Sequence, residues 1–448
     1  MINRSHLAAL YAAEQRRFEE THPVSHALFQ RAQGSLLQGV PMHWMAKWAG
    51  GFPIFVREGE GAHFRDVDGH RYIDLCLGDT GAMTGHAPAA TVAAVERQAR
   101  MGFTYMLPSE DHLWVAEELT RRFGLPSWQF AMTATDANRF AIRLARMLTG
   151  RSKILVFNWC YHGTVDETFA TLRDGAVVAR SGNLGPPVDP ALTTRVVEFN
   201  DLPALEAALA QGDVACVLAE PAMTNIGIIH PDPGFHSALR ALTRKAGALL
   251  IIDETHTICA GPGGYTAAHG LEPDLLTLGK PIGGGVPGAV YGFSDEVAAR
   301  LAGRIVQADC DTGGIGGTLA GNALSLAAMR ATLGQVLTAE SYRLTIPLAE
   351  RFQAGVEGVI AEFGLPWIVK RLGCRAEYWF RPTAPRNGGE AAAAGDFELD
   401  LFMHLFALNR GIMLAPFHNM ALMSPAPTAA DIDRHTAVFR EGVEALLG

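Results

Sequence analysis

An amine and a carboxylate each follow a strongly apolar segment of the sequence. Asp253 ends "GALLIID", and Lys280 follows "LLTLG". A lysine that leaves an apolar strand is poorly solvated, which favours the neutral, nucleophilic amine. Considered alone, the position of Asp253 predicts a solvated loop residue, and the position of Lys280 predicts a surface lysine. Considered together, they make Lys280 a candidate for Schiff-base chemistry beside a strand-end carboxylate.

Two further segments contain groups that suit a flat, phosphorylated ligand. "TATDAN" precedes a helical pattern, so Thr133 or Thr135 caps a helix whose free N–H groups favour a phosphate. Tyr161 in "YHG" follows the strand-like "KILVFN" and can stack on a flat ring. The alternatives are an ordinary helix cap and a core tyrosine. A nucleophilic amine, a carboxylate for a ring nitrogen, a phosphate site and a stacking aromatic together match pyridoxal phosphate.

The elements that position these residues predict an α/β fold. Apolar strand-like segments such as "VACVLAE" alternate with helical patterns through the middle of the chain. Because these strands are apolar throughout, they predict a mostly parallel sheet covered by helices, with ligands beyond the carboxyl ends of the strands. The 448 residues suffice for two domains. We expect a large domain at 76–330 and a small α+β domain formed from 1–75 and 331–448.

The composition excludes several other classes of protein. A net charge of −9 argues against a nucleic-acid or anionic membrane surface. No segment reaches the roughly 20 apolar residues of a membrane span, and the N-terminal segment predicts a helix rather than a secretory signal. The six cysteines form no CxxC pair, which indicates reduced thiols and a cytoplasmic protein. No Cys/His group has zinc-ligand spacing, and a solvated helix face accounts for His22 and His26.

The order of the motifs resembles the class III aminotransferases of fold type I, which include glutamate-1-semialdehyde aminomutase and the ω-amino acid and amine transaminases. "TATDAN" stands where members carry SGTEA. "YHG", "LIIDETHT", "LTLGKPIGGGVP" and "GGTLAGN" then follow in the family's order. The resemblance covers most of the chain, and the lysine segment with its upstream aspartate is the most specific part.

The resemblance implies a role for each candidate residue. Lys280 would hold pyridoxal 5'-phosphate as an aldimine and move the substrate proton, while Asp253 would keep the pyridine nitrogen protonated. The other implied cofactor contacts are Thr133, Ala134 and Thr135 at the phosphate, Tyr161 and Thr255 on the two ring faces, His256 at the ring hydroxyl, Glu220 as a cofactor-side or structural acid, and Thr318 from the neighbouring subunit of a homodimer.

Two departures from the family bear on the substrate. Many members bind a carboxylate with an arginine, but neither the segment around Trp44 nor the segment around His418 contains one. Arg375 or Arg381 would then serve an amino-acid co-substrate. The sequence therefore favours a bulky, apolar or uncharged amine near Trp44 and His418.

Three functions are compatible with these residues. The leading hypothesis is an aminotransferase that moves an amino group from a primary amine or ω/β-amino compound to a keto acid such as pyruvate. The alternative is an isomerase on the same fold, an aminomutase or a racemase, because the same lysine moves the proton in each case. A non-catalytic binding protein is the third, and the presence of both Lys280 and Asp253 argues against it.

Overall fold

The computed structural model describes residues 2–305, 313–416 and 418–448. The strands in this part of the chain are β1 (Val56–Glu60), β2 (His63–Asp66), β3 (Arg71–Asp74), β4 (Ser127–Ala131), β5 (Lys153–Phe157), β6 (Ala170–Arg173), β7 (Ala176–Ala179), β8 (Thr194–Val197), β9 (Val214–Ala219), β10 (Leu249–Asp253), β11 (Leu275–Leu278), β12 (Ala289–Phe293), β13 (Ile368–Leu372), β14 (Arg375–Trp379), β15 (Ile412–Met413) and β16 (Met420–Leu422). The helices are α1 (Arg4–Thr21), α2 (Pro23–Ala32), α3 (Ala89–Ala99), α4 (Glu110–Phe123), α5 (Ala134–Thr149), α6 (Pro190–Thr193), α7 (Leu202–Leu209), α8 (Phe235–Ala246), α9 (Gly264–His269), α10 (Asp295–Ile305), α11 (Ala323–Ala331), α12 (Ala339–Glu362), α13 (Gly388–Ala392), α14 (Phe397–Leu408) and α15 (Ala429–Leu447).

The chain forms two compact units. The small unit contains the described residues of Met1–Pro88, Glu340–Ala384 and Ala394–Gly448, and the large unit contains those of Ala89–Ala339 and Pro385–Ala393. Compared with the segments expected from the sequence, residues 76–88 fall in the small unit, and residues 331–339 and 385–393 fall in the large one.

A seven-stranded sheet forms the centre of the large unit. Its strand order is β4-β12-β11-β10-β9-β5-β8. The pairs from β11 to β8 are parallel, whereas β12 is antiparallel to both of its neighbours. Every residue of β9, β10 and β11 is buried, as expected for strands that are covered on both faces. The predicted α/β fold with a mostly parallel sheet is confirmed.

The strand register aligns the carboxyl ends of three neighbouring strands. Ile252 of β10 lies beside Ala219 of β9, and Asp253 of β10 lies beside Thr277 of β11. The chain therefore leaves β9, β10 and β11 at the same edge of the sheet. Polar residues that follow these strands are brought together there, although they are far apart in the sequence.

Helix α5 packs its apolar face against this sheet. The buried residues Ala137, Ala141 and Leu144 recur at helical spacing and form that face. Thr133 caps the start of the helix, because its side chain accepts a hydrogen bond from Asp136 N. Gly150 ends it with a φ of 68°, a left-handed conformation that favours glycine.

The small unit combines two sheets with helices. One sheet has the order β1-β2-β3-β15 and the other, which is antiparallel, has the order β13-β14-β16. One of its hydrophobic clusters contains Phe18, Phe52, Phe64, Tyr72 and Leu405. The unit is therefore an α+β structure formed from both ends of the chain, as the sequence predicted.

Five of the described cysteines are buried and form no disulfide with one another, namely Cys76, Cys160, Cys216, Cys259 and Cys374. Cys310 lies outside the described residues. None of the described helices is long and apolar enough to cross a membrane.

Candidate active site

Asp253 ends β10 as a buried carboxylate with three hydrogen-bond donors. Its Oδ2 accepts hydrogen bonds from Asn138 Nδ2 and His162 Nδ1, each at 2.9 Å, and its Oδ1 accepts one from Thr255 N at 3.0 Å. Burial raises the pKa of the carboxyl, but the hydrogen bond and charge of His162 and the other donors outweigh burial and lower the pKa to about 2. Asp253 is therefore ionised at neutral pH.

His162 is the cationic partner of this carboxylate. Burial lowers the pKa of its imidazole, but neighbouring Cys160 and the Asp253 carboxylate outweigh burial and raise the pKa to about 10. Because an ionised carboxylate only accepts hydrogen bonds, Nδ1 of His162 is the donor. The two buried side chains form an ion pair with a separation of 2.9 Å.

Asn138 connects the carboxylate to a helix and a second strand. It lies on the buried face of α5, where Nδ2 donates to Asp253 and also to the carbonyl oxygen of His162 at 3.2 Å. Its Oδ1 accepts a hydrogen bond of 2.7 Å from the hydroxyl of Thr277 in β11. Helix α5 and strands β10 and β11 thus fix the orientation of one carboxylate.

Lys280 follows β11 at the same edge of the sheet. Its φ of 48° is unusual for a residue with a side chain, and strain of this kind is concentrated at functional sites. A Cβ on the preceding Gly279 would lie 2.9 Å from the Cβ of Ala134, the first residue of α5. The glycine therefore lets the lysine segment pass close to the start of α5. The Nζ atom of Lys280 lies 2.8 Å from His256 Nε2.

The start of α5 packs against the "YHG" turn. The hydroxyl of Thr135 accepts a hydrogen bond of 3.0 Å from Thr164 N. Gly163 has a φ of 75°, and a Cβ there would overlap that hydroxyl. Tyr161, at the front of the turn, is 36% exposed and makes an edge contact with Phe169. The tyrosine is therefore not a core residue, and its ring is accessible to a ligand.

Two other acids at this edge of the sheet have their own partners. Glu254 is fully buried and accepts hydrogen bonds from the Thr257 hydroxyl at 2.6 Å and from the backbone of Tyr265 and Thr266. Burial raises the pKa of Glu254. The hydroxyl of Thr224 donates to the buried Glu220, which follows β9. Glu254 therefore anchors the chain that follows β10, while Asp253 beside it points to the histidine and asparagine.

The remaining candidates are described within their own units. Thr318 is an exposed residue in a turn before α11 of the large unit. The three substrate candidates belong to the small unit, where Trp44 is half-buried. His418 Nδ1 lies 2.8 Å from Glu377 Oε1, and the fully buried Arg375 forms an ion pair with Asp79 at 3.1 Å. The charge of Arg375 is thus balanced within its own unit.

The prediction of a solvated position for His22 is wrong. His22 is buried in the small unit, where its Nδ1 lies 2.8 Å from the Phe18 carbonyl oxygen and its Nε2 lies 2.7 Å from the Tyr72 hydroxyl oxygen. Polar atoms of His22, Asp66 and His70 lie within 4.8 Å of one another. The hydrogen bonds of Tyr72 and His70 to Asp66 account for this grouping.

The residues at the edge of the large sheet fit pyridoxal 5'-phosphate. A buried, ionised carboxylate suits a protonated ring nitrogen, and the start of α5 suits a phosphate. The buried hydroxyl of Thr255 has no hydrogen-bond partner among the described residues, so a ligand is a suitable partner for it. With a strand-end lysine beside them, these features define a pyridoxal-phosphate-dependent enzyme of fold type I.

The chain belongs to the class-III aminotransferases, whose family model matches residues 44–359. A glutamate-1-semialdehyde 2,1-aminomutase of Sorangium cellulosum is 36% identical over 433 residues, which cover 94% of this chain and 97% of that protein. The crystal structure of a glutamate-1-semialdehyde-aminomutase from Pseudomonas aeruginosa has a TM-score of 0.98 and 51% identity over 99% of both chains, and a variant of it was solved in complex with PMP. An omega-transaminase from Sphaerobacter thermophilus has a TM-score of 0.86 and 28% identity over 95% of this chain and 98% of its own.

Three residues of the site were missed at the sequence level. Asn138 and Thr277 are polar residues in otherwise apolar, buried segments, which was a visible signal. His162 lies in "YHG", next to Tyr161, which the sequence predicted as the ring-stacking residue. Each of the three acts through a contact that only the fold reveals.

Proposed function

We propose that this protein is a pyridoxal-phosphate-dependent aminomutase that moves an amino group between neighbouring carbon atoms of one substrate molecule. The observation that carries the proposal is the activity named for the relatives that match nearly the whole chain. They favour the alternative of the sequence analysis over its leading hypothesis. By the same argument, we propose glutamate 1-semialdehyde as the substrate. This molecule carries a carboxylate, so it replaces the apolar or uncharged amine that the sequence favoured near Trp44 and His418.

Asp253 would supply the electrostatic part of the reaction. Pyridoxal phosphate held at this site would supply an electron sink for the carbon atom next to the substrate's amino group. The ionised carboxylate would hold a proton on the ring nitrogen, which maintains that capacity. Asn138 and the cationic His162 keep the carboxylate charged and oriented through their 2.9 Å hydrogen bonds.

Lys280 would move the proton that the rearrangement requires. Its Nζ would accept a proton at one substrate carbon atom and return it at another. In a 1,2-exchange the amino group and the carbonyl oxygen change places, so product and substrate are isomers. The exchange therefore needs no external oxidant, reductant or second substrate.

We also propose that the active form is a homodimer. Residues 101–107 of the large unit expose large apolar side chains, namely Met101, Phe103, Tyr105, Met106 and Leu107. Exposed apolar patches of this kind favour an interface. Leu324 N donates to the carbonyl oxygen of Phe103 at 3.4 Å, which connects this segment to the helix that follows Thr318. This placement supports Thr318 as a phosphate ligand for the neighbouring subunit.

The buried thiols support our proposal of a reducing, cytoplasmic location for the protein. Disulfides are rare in that compartment, and the described cysteines form none with one another.

One experiment separates the proposed aminomutase from a transaminase. The purified holoenzyme is incubated with glutamate 1-semialdehyde alone, and the products are followed by NMR. We expect conversion into the isomer in which amino group and carbonyl have exchanged places, without added keto acid. A transaminase would instead release alanine stoichiometrically when its aminated form meets pyruvate. The similarity to an omega-transaminase is the reason for the second measurement, with pyruvate.

The assignment of Lys280 has its own test. Borohydride reduction of the holoenzyme should fix the cofactor to the peptide that contains Lys280, because only a covalent carbon–nitrogen double bond is trapped in this way. Lys245 is a suitable comparison, since its Nζ forms a 3.0 Å ion pair with Glu206 outside the site. Recovery of the cofactor on any lysine other than Lys280 would contradict the proposed mechanism.

A further inference from the structure

A second titratable group contacts the amine of the candidate catalytic lysine. His256 lies three residues after the end of β10 and is 8% exposed. Its Nε2 is 2.8 Å from Lys280 Nζ, a normal hydrogen-bond length. Two nitrogen atoms at this distance share a proton, since otherwise two lone pairs or two N–H groups would face each other. The contact therefore connects the protonation states of the two side chains.

Fixed backbone holds both partners of this contact. His256 caps a single 3-10 turn, Thr257–Ala260, and its carbonyl oxygen accepts a hydrogen bond from Cys259 N. Glu254 anchors the same segment through its hydrogen bonds. Lys280 begins a second 3-10 turn, in which Pro281 follows the strained lysine. The two nitrogen atoms are thus brought together by the backbone of two neighbouring strand ends.

We propose that His256 accepts the proton that Lys280 must lose before its amine becomes a nucleophile, an inference that rests on the proposed role of Lys280. In this step the proton leaves Nζ for Nε2, which yields a neutral amine and an imidazolium, so charge is conserved. The amine lone pair is then available for a carbonyl carbon. The reverse transfer restores the ammonium group. For this to occur, Nε2 must be unprotonated and Nδ1 must carry the imidazole hydrogen.

Several other titratable groups on the neighbouring elements have contacts of their own. Among the described residues they include Asp253 and Glu254 on and after β10, Glu220 after β9, Asp136 on α5 and His162 after β5. Each of these has a hydrogen-bond partner of its own within the site. An imidazole accepts a proton only while one of its nitrogen atoms carries no hydrogen. His256 can therefore take the proton of Lys280 only when Nε2 is unprotonated.

Competitive labelling of the lysine amine tests the proposal without any substrate. The full-length protein is freed of cofactor with hydroxylamine, and its recovery of bound pyridoxal phosphate shows that it remains folded. Trace acetic anhydride is then added between pH 5 and 10, and mass spectrometry quantifies the peptide that contains Lys280. The rate of cofactor capture over the same pH range gives a second readout. His256→Gln keeps a hydrogen-bonding side chain but cannot take up a proton.

The expected profiles differ in shape as well as in size. In the wild-type protein the labelling of Lys280 rises through an inflection between pH 5 and 8, where imidazoles titrate. In His256→Gln this inflection disappears, and labelling at pH 8 falls about 10²-fold, the lower end of the range for a lost general base. His269→Gln removes an exposed imidazole that stacks on Tyr265, and it should retain the wild-type profile.

The outcomes separate this inference from the proposed function. Superimposable profiles for the wild type and His256→Gln, with normal cofactor attachment to Lys280, would overturn the role of His256 alone. Cofactor attachment to another lysine would overturn both assignments. Because labelling uses no substrate, the choice between aminomutase and transaminase does not affect the result.

Discussion

Replacement of Asp253 by asparagine preserves the shape of the side chain but removes its charge and one of its two acceptor oxygens. In the native site Asn138 and His162 donate to one oxygen, and the backbone N–H of Thr255 donates to the other. The asparagine oxygen can face only one of these sets. At least one buried N–H group therefore loses its acceptor in Asp253→Asn.

The structure sets the expected size of this effect. A buried donor without a partner costs about 1–3 kcal/mol, and hydrogen bonds to a charged acceptor are about twice as strong as neutral ones. His162 can become neutral in the variant, which limits the cost of the lost ion pair. We expect the free energy of unfolding to fall by about 2–4 kcal/mol, so a domain of ordinary stability stays folded. Loss of the charge should lower kcat by about 10²–10³-fold, the scale of lost active-site electrostatics.

Urea unfolding and steady-state kinetics measure the two effects, with Asp274→Asn as the matched control. Asp274 is also buried, but it precedes β11 at the opposite edge of the sheet. There it forms an ion pair of 2.7 Å with Arg240 and accepts a hydrogen bond of 2.7 Å from Leu250 N. Asp274→Asn should lose similar stability and retain kcat and the absorbance of the cofactor. Wild-type turnover in Asp253→Asn would refute the electrostatic role of Asp253 and leave it a structural residue.

Three other predictions each concern the replacement of a single residue. In the dimer only, Thr318→Ala should weaken the binding of pyridoxal phosphate by about 1.5–3 kcal/mol, the value of one hydrogen bond to a charged group, or about 10–150-fold in Kd. A catalytically competent monomer in sedimentation would contradict this prediction. The pKa of His162 is raised to about 10 in the folded chain, so its contribution to stability is complete below pH 6.5 and is lost as the pH rises towards 10. This alkaline loss should be absent in urea titrations of His162→Gln. Gly264→Ala should destabilise more than Gly270→Ala in thermal unfolding: both glycines have positive φ, but only at Gly264 would a Cβ overlap a side chain, that of Glu254.

The sequence predicted those parts of the site that depend on a single strand or helix. Asp253 and Lys280 were found because each follows an apolar strand, and parallel strands place such residues at one edge of a sheet. Thr133 was found as a helix cap, which is a local feature. Asn138 and Thr277 were missed because their significance lies in a hydrogen bond between a helix and a strand, and no local pattern encodes that partner. The contact of His256 with the lysine depends in the same way on the register of two strands.

The substrate candidates show the same limit. Arg375 stays a predicted carboxylate ligand, since a guanidinium suits a carboxylate, and its ion pair with Asp79 in the small unit is a tertiary contact that sequence spacing does not reveal. The boundaries of the two units differ from those expected because the segments before α3 and before α12, together with residues 385–393, are assigned by packing rather than by composition.

The hydrogen bonds around Asn138 also constrain how the protein folds. The contacts from Asn138 to Asp253 and Thr277 join residues 115 and 139 positions apart, and the contact from His162 to Asp253 joins residues 91 positions apart. Contacts of such high sequence separation form slowly, because the entropy of closing a long loop must be lost before they stabilise the chain. A partly folded chain that has formed α5 but not the β10–β11 edge has no complete carboxylate cluster. Capture of the yellow cofactor during refolding would therefore report the last, long-range stage of assembly, and it would lag behind the recovery of helical circular dichroism.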